Sequence, residues 1–121
     1  MSDREALLIL NAVQGLGNAR IKGLIDRLGG AGRAVKARAD ELMHPGRLPR
    51  PIAQRLAAFD QQRFLKDESR RLNDLGARVC TYLDPDYPEL LREIPDSPVL
   101  FYYTGSFRSY QKCALAIVGS R

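Results

Sequence analysis

The sequence predicts an α+β chain whose first part is all helix and whose second part opens an α/β unit. Three observations carry this reading. Apolar residues recur at helical spacing as far as Leu75. From Ala77 onward, β-branched and aromatic runs replace that spacing. The chain then closes on a continuous apolar run, Cys113-Ala114-Leu115-Ala116-Ile117-Val118, as expected of a strand buried on both faces of a parallel sheet. The domains are therefore read as 1–76, helical, and 77–121, strand-bearing. A parallel strand needs neighbours and crossover helices, and only Gly119-Ser120-Arg121 follow. The sequence thus reads as an α+β fragment, the front end of a longer protein.

Each element has a local cause. Ser2 and Glu5 form a Ser-x-x-Glu capping box, after which Ala6, Leu7, Leu10 and Val13 mark one face of a first helix. Gly15-Leu16-Gly17 interrupts it. Asn18 is placed to cap a second helix, with Ile21, Leu24, Ile25 and Leu28 at i, i+3, i+4 and i+7, and Gly29-Gly30 stops it. Short amphipathic pieces follow between Ala31 and Met43, with Ala34, Val35, Leu42 and Met43 as core candidates. The stretch 44–50 carries two prolines and a glycine and reads as a loop. Pro51 suits a helix start, with Ile52, Leu56 and Phe59 inward. A longer helix spans about 60–75, burying Phe64, Leu65, Leu72 and Leu75, with Asp67 and Arg71 spaced for an ion pair and Gly76 as its stop. Residues 78–82 and 99–103 read as strands. Between them lie a turn at 84–88 and a short helix that Pro88 opens, carrying Leu90, Leu91 and Ile94.

Composition narrows the function. The chain has 121 residues, 45% hydrophobic and 27% charged. No apolar run approaches the roughly 20 residues of a membrane span, and the acidic N-terminus is no signal peptide. A cytoplasmic protein in a reducing compartment is expected. Two cysteines and a single histidine, His44, exclude a disulfide scaffold and a multi-histidine metal site, so no metal or other cofactor is expected. The formal charge is +5. It sits in the front: residues 1–78 carry 15 Lys+Arg against 9 Asp+Glu, and residues 79–121 carry 4 against 5. Such a basic part suits a polyanion, because neutralising phosphates releases counterions.

Two constellations bear on binding. In Val13-Gln14-Gly15-Leu16-Gly17-Asn18-Ala19-Arg20-Ile21, two helices meet at a Gly-apolar-Gly turn that resembles the helix-hairpin-helix motif. Gly15 and Gly17 permit the tight turn, the N–H groups opening the second helix are phosphate donors, and Arg20 and Lys22 add charge. The same residues also make an ordinary αα-hairpin, and isoleucine stands at 21 where the motif usually has alanine. In Ile117-Val118-Gly119-Ser120-Arg121, a buried strand ends in a small-residue turn, the phosphate-binding opening of a Rossmann-like fold. There Gly119 admits an anion, Ser120 donates to it and Arg121 grips it bidentately. Other polar residues have plainer uses. His44 is a loop side chain, Cys80 and Cys113 fill strands, and Asp84, Asp86, Glu89 and Glu93 flank turns and a helix start. Tyr102 and Tyr103 point to opposite faces, so at most one can stack on a base.

The run Tyr87-Pro88-Glu89-Leu90-Leu91-Arg92-Glu93-Ile94-Pro95-Asp96-Ser97-Pro98-Val99-Leu100-Phe101, then Gly105 and Ile117 to Arg121, resembles the DNA-processing protein DprA/Smf family in order and spacing. The helical front is similar to that family's sterile-alpha-motif-like or helix-hairpin-helix domain. The resemblance implies a non-enzymatic cytoplasmic protein that binds single-stranded DNA in natural transformation, protects the incoming strand and helps load a RecA-type recombinase. It also implies an extended Rossmann-like domain, with Gly119, Ser120 and Arg121 in its DNA-binding turn, and a homodimer of the longer protein. Two other readings stand beside it. One is a helical partner-docking module; the other is a piece of a Rossmann-like nucleotide hydrolase.

Overall fold

The structure, a computed structural model, describes residues 2–104. The apolar run 113–118, Gly105 and the phosphate turn of Gly119, Ser120 and Arg121 lie outside the described residues. Within them the chain is mostly helical, with a small two-stranded antiparallel sheet at its C-terminal end. The helices are α1 (Asp3–Ala12), α2 (Gly17–Leu28), α3 (Ala31–Lys36), α4 (Ala39–Met43), α5 (Arg50–Ala57) and α6 (Gln61–Leu75). Strand β1 (Arg78–Thr81), helix α7 (Glu89–Arg92) and strand β2 (Leu100–Tyr103) follow.

The local signals act where the sequence places them. Ser2 Oγ accepts from the Glu5 N–H at 3.2 Å and the Glu5 carboxylate accepts from the Ser2 N–H, closing the capping box. Gly29 and Gly76 end α2 and α6 in the left-handed region. Asp60 caps α6, accepting from the Arg63 N–H at 3.2 Å.

Helix α1 is the centre of the molecule. Ala6, Leu7, Leu8, Ile9 and Leu10 are all buried, so this helix is enclosed all round rather than along one stripe. It packs on α2, α3 and α6 and also on both strands. Val79, Val99, Leu100 and Tyr102 consequently join the same core as the helices. The sheet register pairs Arg78 with Tyr103, Val79 with Tyr102, Cys80 with Phe101 and Thr81 with Leu100. Strand alternation then turns Cys80 and Phe101 to the opposite face, where Tyr87 covers them in a second, smaller cluster.

Four local expectations are corrected. Asn18 does not cap α2, which begins at Gly17 with no side-chain cap; its Oδ1 instead accepts from the Val99 N–H at 3.2 Å. Leu75 is 51% exposed, at the last position of α6. Arg71 pairs not with Asp67 but with Glu68, at 2.8 Å, since only Glu68 points into the core. Helix α7 is a single turn that leaves Leu90 73% exposed and ends before Ile94.

Candidate nucleic-acid interface

The turn between α1 and α2 is built from its backbone outward. Gly15 takes φ +88° and Gly17 takes φ +71°, where side-chain-bearing residues are strained. Gly15 has a second reason to lack a side chain. A Cβ there would lie 3.4 Å from the Arg55 guanidinium and 3.5 Å from Ile52, both on α5. Nothing lies within 4 Å of a Cβ at Gly17, so only its backbone angle matters.

Two guanidiniums meet at this corner. Arg20 Nη1 donates to the Gly15 carbonyl at 2.8 Å, and Arg55 Nη1 donates to the Gln14 carbonyl at 3.2 Å. Both residues are exposed. A guanidinium carries five N–H donors, so each anchoring bond uses one and leaves others directed outward. Beside them the first turn of α2 has no side-chain cap, which presents backbone donors and the positive end of the helix dipole. The arrangement suits a phosphate group.

The structure brings together Gly15, Gly17 and Arg20, adds Arg55, and separates Lys22. Lys22 lies one turn from Asn18 on the opposite side of α2 from Arg20, and it is half-buried. Its Nζ donates to the Ser97 carbonyl at 2.8 Å and to Ser97 Oγ at 2.6 Å, and it stands 5.4 Å from the centroid of the Tyr82 ring. Lys22 and Asn18 therefore tie α2 to the segment entering β2. Arg55 has no local signal in the sequence, because 41 residues separate it from Gln14.

The β1–β2 connection is held from within. Tyr87 donates to the Pro98 carbonyl at 2.7 Å and packs on Phe101 with centroids 5.9 Å apart. Arg92 lies 4.8 Å from the Tyr87 ring and donates to the carbonyls of Tyr82 and Asp84 at 2.8 and 3.0 Å. Asp84 Oδ2 accepts from the Thr81 N–H at 2.9 Å. Burial pushes the Cys80 thiol up to about 11, with Asp84 and Asp86 adding to the effect, so the sulfur is a packed apolar atom rather than a nucleophile.

This connection, with both strands, forms most of the segment that matches a known family. Residues 78–121 match the family model of DNA recombination-mediator protein A. The resemblance to the DNA-processing family holds over that segment. No curated protein and no solved structure gives a match. Within the matched segment, Tyr87, Pro98 and Phe101 serve the fold: they close the sheet's outer face.

Proposed function

We propose that this chain is a recombination mediator that acts by binding single-stranded DNA, not by catalysis. The family match over residues 78–121 carries the reading. The corner at Gly15, Gly17, Arg20 and Arg55 supports it, with the basic balance of the front part. On this reading the helices form a helix-hairpin-helix or sterile-alpha-motif-like unit, and residues from 77 onward open a Rossmann-like one. Gly119, Ser120 and Arg121 are its phosphate turn. The mediator protects the strand in the cytoplasm, hands it to a RecA-type recombinase and works as a homodimer.

Oligonucleotide binding across a salt series tests this. Affinity for a single strand is expected to fall steeply from low to physiological salt, as for any site that neutralises several phosphates. Arg20→Ala with Arg55→Ala should flatten that slope. A flat response in the unaltered chain would favour the helical docking module, and the engagement of Lys22 by Ser97 is the observation on its side.

A further inference from the structure

The backbone of β1 keeps one donor and one acceptor unused. The Tyr82 N–H donates to the Val99 carbonyl across the sheet at 2.8 Å. Alternation along an antiparallel pair makes Cys80 and Phe101 the next bonded pair, and it directs the N–H and C=O of Val79 away from β2. Neither group has a hydrogen-bond partner among the described residues, although Val79 is only 6% exposed. The other outward pair, at Thr81, is closed from within. Asp84 Oδ2 accepts from the Thr81 N–H at 2.9 Å, and the Thr81 carbonyl accepts from the Asp84 N–H at 3.0 Å. A cavity of about 450 Å3 lies along the open part of this edge, between Arg4 and Leu8 of α1, Leu72 of α6, and Arg78 and Val79. Backbone groups in so enclosed a place cost free energy until a partner meets them.

We propose that this edge receives an extended acidic peptide of another protein, which adds to the sheet as a strand beside β1. Three observations select that occupant. Val79 offers both a donor and an acceptor, and a peptide backbone presents the complementary pair. A phosphate carries acceptors only and would leave the Val79 carbonyl unmet. Arg4 and Arg78 are exposed, and neither side chain has a hydrogen-bond or ion-pair partner among the described residues. Arg20, Arg55, Arg71 and Arg92, by contrast, are tied to carbonyls or a carboxylate. The two free cations attract carboxylates, and they repel a second copy of this chain, whose β1 would bring the same arginines to the junction. Strand alternation then fixes the pattern of the incoming segment. The residue opposite Val79 shares its face, over Leu8 and Leu72, and takes an apolar side chain. Its neighbours turn to the face of Arg78 and take carboxylates. The edge shares no residue with the corner at Gly15, Gly17, Arg20 and Arg55, so the inference does not depend on the single-strand reading.

The full chain, titrated against a fluorescein-labelled six-residue peptide alternating glutamate and valine, tests this by anisotropy, with circular dichroism as the check on folding. The peptide should bind, and amide hydrogen exchange at Val79 should slow about tenfold when nine-tenths of the chain is bound, since only the free fraction exchanges. The double change Arg4→Ala, Arg78→Ala should weaken binding about fivefold, as for the loss of two exposed ion pairs. N-methylation of alternate residues removes the donors from one edge of the peptide. Methylating the valines should abolish binding of an antiparallel strand, and methylating the glutamates that of a parallel one. Binding that survives both changes would overturn the proposal. So would failure of the unaltered chain to bind the peptide, a result that leaves the single-strand reading standing. An oligothymidylate that restores fast exchange at Val79 by displacing the peptide would make the edge a nucleic-acid surface and overturn the peptide assignment.

Discussion

At the residue scale, the group that decides most is Glu68. It is 2% exposed, yet it lies on a helix whose other charged residues, Arg71 apart, are exposed. Its carboxylate accepts from Arg71 Nε and Nη2 at 2.8 and 3.3 Å and from the Tyr102 hydroxyl at 2.7 Å. The Arg71 guanidinium, also 5.4 Å from the Tyr102 ring centroid, has its pKa raised chiefly by the bond to Glu68. A hydrogen bond to a charged partner contributes about 1.5–3 kcal/mol, so Tyr102→Phe should lower unfolding free energy by that amount in urea. Combined with Glu68→Gln the losses should be less than additive, because both changes break one network. Cys80 gives a second, pH-dependent expectation. Burial raises its thiol from 9.0 to about 11, which favours the protonated form in the folded chain. The unfolded chain therefore releases this proton first, and the stability present below pH 9 is lost as pH rises through 9 to 11. The loss is on the order of 3 kcal/mol. Stability measured against pH should fall over that window more steeply in the unaltered chain than in Cys80→Ala. At pH 8 the Cys80 peptide should resist iodoacetamide until the chain unfolds.

At the element scale, connections carry constraints that side-chain pattern does not show. Gly46, in the loop between α4 and α5, is buried. A Cβ at this position would collide with the Leu42 carbonyl oxygen and lie 2.8 Å from its carbon and 2.9 Å from Leu24 Cδ1. Backbone cannot yield as a flexible side chain can, so Gly46→Ala should cost more than Gly17→Ala. The latter meets no atom within 4 Å and carries only the strain of its positive φ, about 1–2 kcal/mol. Thermal midpoints of the two variants check the order, and an equal loss would show that the loop shifts to make room. Most elements were legible because helices announce themselves locally: the capping box at Ser2 and Glu5, the stops at Gly29 and Gly76, and apolar spacing in between. What stayed hidden depends on contacts between distant residues. Asn18 looked like a cap because capping is a local rule, yet its partner Val99 lies 81 residues away. Lys22 looked like a phosphate ligand, yet Ser97, 75 residues on, engages it. Arg55 carried no mark of the turn it supports. Glu68 carries no local mark of its burial, because nothing near it in sequence names Tyr102 as its partner.

At the scale of the whole molecule, those long-range ties bear on how the two parts hold together. A change of texture at Ala77 reads in sequence as a domain boundary, and a boundary implies a part that keeps its own core. Helix α1, however, is buried on all sides, with the other helices on part of its surface and Val79, Val99, Leu100 and Tyr102 on the rest. Three polar links cross the same junction: Asn18 to Val99, Lys22 to Ser97 and Glu68 to Tyr102. Removing the strands would expose apolar surface on α1 and leave a buried carboxylate without one of its donors, costs that fall on the helices. The two parts should therefore unfold together. The sequence supplies a clean test, since the chain has no tryptophan and all five tyrosines lie after residue 81. The far-ultraviolet signal reports mainly the helices of the front part, and the near-ultraviolet tyrosine signal reports the strand-bearing part. Coincident transitions by the two probes are expected on heating, and Tyr102→Phe should move both midpoints down together. A tyrosine transition separated from the helical one would mean that α1 keeps its packing without the sheet, and that the division at residues 76–78 separates two independently stable bodies.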